Sequence, residues 1–156
     1  MVQSNRIANT VLSVRLGADL HAIPIKAVEE VLPAIPLETV PDCPGFIRGV
    51  VYVRGHIIPV LDAAERLGLK EHQRPPEPHI VCIRIGEQLV GVEVDEALDL
   101  IEIDPTQVMA ADRIGARTGF FSGVIDLDGQ MIRLLDPEKL LADTDAEQLR
   151  ELPQTA

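Results

Sequence analysis

Apolar and polar residues alternate through most of this chain in short runs bounded by Gly or Pro. VLSVRL (11–16), DLHAIPI (19–25), FIRGVVYV (46–53) and HIIPVLD (56–62) are rich in β-branched residues and predict strands. IVCIRI (80–85), QLVGVEVD (88–95), ALDLIEI (97–103), FFSGVIDL (120–127) and QMIRLLD (130–136) predict five more. Short helices are predicted at 26–31, at 63–67 after Asp62, and at 137–142 after Asp136, where either aspartate can accept from the first free backbone N–H groups. DTDAEQLREL (143–152) carries acids in its first turn and predicts a C-terminal helix, with the tail running to residue 156. KEHQRPPEPH (70–79) is polar and proline-rich, as a linker is, and LPAIPLETVPDCPG (32–45) is too irregular for a strand interior.

The pattern occurs twice. GFIRGVVYVRGHIIPVLD (45–62) laid on GFFSGVIDLDGQMIRLLD (119–136) without a gap matches at 8 of 18 positions. Upstream, VLSVRLGADLHAIPI (11–25) lies on IVCIRIGEQLVGVEV (80–94), keeping Arg, Gly, Leu and the apolar alternation. Two copies of one small unit predict an all-β protein with short helices, built as two similar five-stranded β-barrels packed together. The first barrel is expected over 9–69 and the second over 80–142, joined by the linker at 70–79 into a single domain of 156 residues.

Comparing the copies separates what the fold needs from what it leaves free. Shared by both are Gly49 and Gly123 within strands, Gly55 and Gly129 at the turns, and Phe46 and Phe120 as expected core residues. At the turn itself they differ. The second copy has Asp128-Gly129, a strong signal for a two-residue hairpin, and the first has Arg54-Gly55. In such a turn Arg54 takes a positive φ, which costs Arg more than Asp, so a partner is the expected reason for the residue.

Composition narrows the function. Hydrophobic residues at 46% and charged residues at 25% describe a globular chain. No apolar run reaches the ~18 residues of a spanning helix, and MVQSNRIANT lacks a signal peptide's apolar core. The expected location is therefore the cytoplasm, with Cys43 and Cys82 as free thiols. Residues 1–78 hold 9 acids and 8 bases (net −1), and residues 79–156 hold 16 acids and 6 bases (net −10), which together give the chain's −11. Such a surface repels nucleic-acid phosphates and anionic lipid, so neither nucleic acid nor direct membrane insertion is expected. There is no GxSxG, phosphate-binding loop, HExxH or dinucleotide fingerprint. His21, His56, His72 and His79 lack ligand spacing with Cys or acids, and the two Leu-Asp ends suit helix capping better than acid–base work. No enzyme activity, metal or cofactor is expected. A pocket lined by the proline-rich 32–45 segment is a further possibility, although few polar groups converge there along the sequence.

PGFIRGVVYVRGHIIPVLD (44–62), with its Arg-Gly turn, resembles the hairpin of the CheW-like family, and IPIKAVEEV (23–31), LVGVEVDEALDLI (89–101) and FFSGVIDLDGQMIRLLDPEKLL (120–141) match in order and spacing. The resemblance runs over about residues 9–142 and implies two five-stranded, SH3-like barrels. It also implies a non-enzymatic adaptor of chemotaxis signal transduction that couples the cytoplasmic hairpin tip of a methyl-accepting chemoreceptor to the regulatory domain of a CheA-type histidine kinase. In that family the receptor docks in a groove between barrels and the kinase meets apolar barrel ends. By position, Val28, Glu30, Gly49 and Arg54 match residues used for partner contact, and Leu100 an apolar position near the groove. Arg54 and Glu30 could pair with one another or each meet a partner. Tyr52-Val53 stands where the family usually has Asn-Leu, which bears on the choice of partner. The alternative is a CheW-like scaffold in a non-flagellar pathway controlling pilus motility or a second-messenger cyclase.

Overall fold

The computed structural model of the chain describes residues 9–114 and 119–141. In order, its elements are β1 (Thr10–Leu16), β2 (Asp19–Pro24), β3 (Val28–Leu32), β4 (Ile47–Val53), β5 (His56–Asp62), α1 (Ala63–Arg66), β6 (His79–Ile85), β7 (Gln88–Val94), β8 (Glu96–Glu102), β9 (Met109–Ala110), β10 (Phe121–Leu127) and β11 (Gln130–Leu135). All nine sequence-predicted strands form. Asp62 accepts from Glu65 N (3.2 Å) at the start of α1, and Asp136 accepts from Glu138 N (3.1 Å) at the start of a 3-10 turn over Pro137–Leu140. The predicted C-terminal helix at 143–152 lies outside the described residues.

One element differs in kind. The helix expected at 26–31 is a single 3-10 turn (Ile25–Ala27) followed by β3, because VEEVL alternates and pairs with β6. That pairing turns Val28 and Leu32 onto two apolar clusters, and tertiary burial overrides the local helix preference of Lys, Ala and Glu.

Two sheets result, with strand orders β8-β1-β2-β11-β10-β9 and β3-β6-β7-β5-β4. Neither sheet is one half of the sequence. The β1–β2 hairpin of the first half joins strands of the second, and the β6–β7 hairpin of the second joins strands of the first. The contiguous spans 9–69 and 80–142 are therefore not the units that pair. The cause is local. Pro24 cannot continue donating to a ladder, and the 3-10 turn after it redirects the chain so that β3 leaves for β6. At the equivalent corner of the second half, Asp95 N donates to Arg15 O (3.0 Å) and β8 leaves for β1. Parallel pairs β2·β11 and β5·β7, which no tight turn can join, complete the exchange.

Three cores follow from the alternation. Val11, Ala22, Ile125, Ile132 and Leu134 fill the six-stranded barrel, and Val51, Ile58, Val60, Ile80 and Cys82 fill the five-stranded one. The largest cluster, including Leu12, Val14, Ile23, Val81, Ile83 and Val92, lies between them on the opposite faces of the same strands. Phe46 and Phe120, equivalent in the repeat, are half-buried, and both cover the guanidinium of Arg66, at 4.5 and 4.8 Å from its central carbon. Arg66 Nε donates to Leu140 O (2.6 Å), so α1 ties both halves together.

Candidate functional site: a partner-docking surface

Both hairpins close with positive φ at both turn residues: 49° and 80° at Arg54-Gly55, 53° and 85° at Asp128-Gly129. Arg54 thus occupies the strained position that its sister gives to Asp. Its side chain is 77% exposed, and Nη1 donates to Glu30 Oε1 at 2.7 Å. The two residues belong to opposite edges of the five-stranded sheet, β3 and the β4–β5 hairpin, so this pair clasps the barrel where no backbone ladder does. Beside it Arg84 Nε donates to Glu29 Oε1 at 2.8 Å. Beneath the clasp is a cleft of about 210 Å³ walled by Val53 and Leu89, floored by Ile58 and Cys82, and rimmed by His56. Burial, reinforced by the Glu30 carboxylate, pushes the Cys82 thiol up to about 11, so the floor is a neutral, unreactive thiol.

Of the other sequence-predicted site residues, Val28 is half-buried against the cluster between the barrels, opposite Ile83. Gly49 is buried at a bulge of β4, where a Cβ would stand on the carbonyl oxygen of Glu38; its role is backbone approach. Leu100 belongs to the other sheet. It pairs with Leu12 on β8, and 63% of it is exposed. Val28, Glu30 and Arg54 therefore gather on the five-stranded barrel, with Leu100 on the edge strand of its neighbour. Glu29, Arg84 and His56 escaped sequence reasoning, although the register of β3 against β6, once known, places the first two together.

The histidines have separate structural positions. His72 Nε2 lies 2.6 Å from Asp95 Oδ1, His79 Nδ1 accepts from Ala97 N, His21 is buried, and His56 is exposed at the cleft. Among the described residues no three His, Cys, Asp or Glu side chains are grouped to hold a metal, and no helix is long and apolar enough to cross a membrane. The proline-rich segment does line a cavity, of about 510 Å³, through Ala34–Leu37. Its charged groups come from other parts of the chain. Glu93 on β7 is buried there, with Arg74 Nε at 2.8 Å and Arg48 Nε at 3.7 Å. The 70–79 linker is thus strapped to β7 by Arg74, and by His72 to Asp95 just beyond it.

Residues 10–145 match a known family model, the CheW-like domain. The chain belongs to the CheW-like domain family. It is 28% identical over 141 residues to the probable chemotaxis protein CheW of Rhizobium etli, covering 87% of this chain and 89% of that protein. It is 32% identical over 130 residues to protein FrzA of Myxococcus xanthus, covering 81% of each. The crystal structure of scaffolding protein TtCheW from Thermoanaerobacter tengcongensis superposes with a TM-score of 0.80 at 26% identity, over 88% of this chain and 90% of that one. The fold of two β subdomains expected from the repeat and from the resemblance is therefore present, and of the proteins named here the Rhizobium etli relative is called a chemotaxis protein and TtCheW a scaffolding protein.

Proposed function

We propose that this chain is a cytoplasmic adaptor that couples the hairpin tip of a chemoreceptor to the regulatory domain of a CheA-type histidine kinase, and that it is recruited to membrane receptor arrays through those partners. The observation that carries the reading is the Arg54–Glu30 clasp. Glu30 accepts only one of the five N–H donors of Arg54, and an exposed guanidinium held at a fixed angle with donors to spare is suited to a carboxylate or carbonyl of a docking protein. Val28 beside it and Leu100 on the adjoining barrel supply apolar area. Gly49 acts at one remove, by letting β4 pass close to Glu38.

The test replaces Arg54 with Asp, giving the first hairpin the Asp-Gly turn of the second. Asp suits positive φ, but the change opens the exposed clasp and sets two acids side by side, so the melting temperature should fall by only about a few degrees and the chain should stay folded. Binding to the cognate receptor tip or kinase domain, followed by calorimetry, should weaken by roughly 1–3 kcal/mol, since an attractive charge becomes a repulsive one. Unchanged binding by the folded variant would remove Arg54 from the docking surface. Regulatory domains from pilus-motility and cyclase-control clusters belong in the same assay. Binding to one of those instead of the chemotaxis kinase assigns the chain to the alternative pathway class.

A further inference from the structure

Glu93 is a carboxylate on a face where the fold calls for an apolar residue. On β7 it shares with Leu89 the side that turns into the five-stranded barrel, and only 7% of it is exposed. A buried carboxylate is costly unless it is paired. The repeat shows that the fold does not require it. Laid on the other copy, Glu93 corresponds to Pro24 and Arg48 to Ser122, so the sister unit carries no charge at either position. The linker accounts for part of the difference. Arg74 Nε lies 2.8 Å from Glu93 Oε1 and Arg74 Nη2 lies 3.4 Å from Asp62 Oδ2, so this guanidinium is engaged by two acids and holds the strap down. Arg48 is surplus to that pairing. Its Nε stands 3.7 Å from Glu93 Oε1, its side chain is 37% exposed, and among the described residues it has no other ion pair or side-chain hydrogen bond. It lines the cavity of about 510 Å³, whose apolar walls include Ile35, Leu37 and Ile80 with Pro36, Pro76 and Pro78.

We propose that this cavity is a small-molecule site, and that its ligand is an organic monocarboxylate with a ring body. The carboxylate takes the free N–H donors of Arg48, and the rings lie against the prolines, Ile35 and Leu37. The chemistry on each side selects that class. A guanidinium with donors to spare meets a carboxylate through two parallel N–H bonds. Rigid proline rings lose no side-chain freedom when covered, and they present apolar faces to a flat ring system. A single negative charge is the limit, because Arg48 is the one surplus cation, Glu77 stands on the same wall, and the chain carries −11 overall. Glu93 is the fixed post in this arrangement: it holds Arg48 at the wall from behind and makes no contact with the ligand. Since Arg74, Pro76 and Pro78 come from the linker and Arg48 from β4, a bound ligand also fastens the linker to a second strand.

Calorimetry on the full chain at neutral pH tests this with three probes of one shape: naphthoate, its uncharged amide and naphthylmethylammonium. Naphthoate should bind saturably with a Kd of roughly 0.1–1 mM, the amide should be weaker by roughly tenfold or more, and the cation should not bind. Arg48→Ser, which gives the first copy the residue its sister already has, should stay folded. It should weaken naphthoate to the level of the amide and leave the amide unchanged. In amide-resolved NMR, the shifts caused by naphthoate should gather at Ile35, Leu37, Arg48 and Ile80. Equal binding of acid and amide, or a preference for the cation, overturns the proposal, since the cavity then does not read a carboxylate. Naphthoate binding that survives Arg48→Ser, or shifts scattered over other faces, removes the site from this cavity and overturns it as well. So does the absence of saturable binding by all three probes at millimolar concentration. No partner protein takes part, so each of these failures leaves the adaptor reading untouched.

Discussion

His21 shows how much one residue can say once its surroundings are known. It is buried on β2, its ring stacks on Phe121 with centroids 5.8 Å apart, and Nδ1 has no hydrogen-bond partner among the described residues. Burial, with Arg133 nearby, lowers its pKa to about 4 from the ordinary 6.5. The unfolded chain therefore binds more protons than the folded one between those values. The stability contribution is complete above about pH 6.5 and is lost as pH falls toward 4. Its size at pH 4.5 is roughly 2–3 kcal/mol, from about 1.4 kcal/mol per pKa unit. The repeat supplies the control, because the equivalent residue of the second copy is Val90, which cannot titrate. In urea unfolding, His21→Val should lose less stability than the parent between pH 7 and pH 4.5 by that amount. Equal losses would assign the acid sensitivity to the carboxylates instead. Sequence reading found no ligand spacing around His21 but could not see it as a buried imidazole, since nothing in DLHAIPI distinguishes the two faces of β2 beyond alternation.

At the scale of elements, the hairpins were the most legible part of the chain. Turn chemistry and period-2 alternation are local, so β4–β5 and β10–β11, including both turn types, could be read directly. The difference between Arg54 and Asp128 was equally legible, because one copy serves as the control for the other. Glu30 entered only through family resemblance, and its bond to Arg54 depends on which strands form the sheet's edges, a non-local fact. The helix expected at 26–31 failed for the same reason, since the partner that makes VEEVL a strand lies some fifty residues downstream. The two-residue β9 has too few positions to show a period. The strand glycines shared by the two copies gain a cause at this scale. At Gly49 φ is 152° and a Cβ would overlap the Glu38 carbonyl; at Gly123 it would lie 2.5 Å from Met109 O. Each hairpin is pressed against a crossing segment at the same point. Gly49→Ala should cost roughly 2–4 kcal/mol in denaturant unfolding, the range for a forced backbone shift in a packed site. The surviving folded fraction should bind partner with unchanged Kd and reduced stoichiometry. A raised Kd at full stability would show instead that Gly49 itself lies under the partner.

The whole molecule is more interdependent than two copies of a repeat suggest. Had each half formed its own barrel, the chain could be cut in the linker and the first part would fold alone. Instead β1 and β2 are completed by β8 and β11, and β4 and β5 by β7, so each half by itself holds only pieces of two sheets. The cluster between the barrels draws Leu12, Val14 and Ile23 from one half and Val81, Ile83 and Val92 from the other, and all of it is exposed if either half is missing. Isolated two-stranded hairpins are at best marginal in water, and no sheet here exceeds two adjacent strands from the first half or the second without the exchange, apart from the short β9. Fragments 1–76 and 77–156, cut within the strand-free stretch between α1 and β6, should therefore each be unfolded by circular dichroism. Mixed at micromolar concentration, they should regain the β spectrum, with a melting temperature that rises with concentration as two chains associating must show. Contacts across the cut favour reassembly, since Arg74 holds Glu93 and His72 holds Asp95 from opposite sides of the seam between halves. A first fragment that folds by itself, with a cooperative melt independent of concentration, would mean that its strands can pair within their own half and that the exchange is dispensable. Mixed fragments that recover the spectrum and also bind the receptor tip would place the docking surface on the exchanged fold and not on continuity of the backbone.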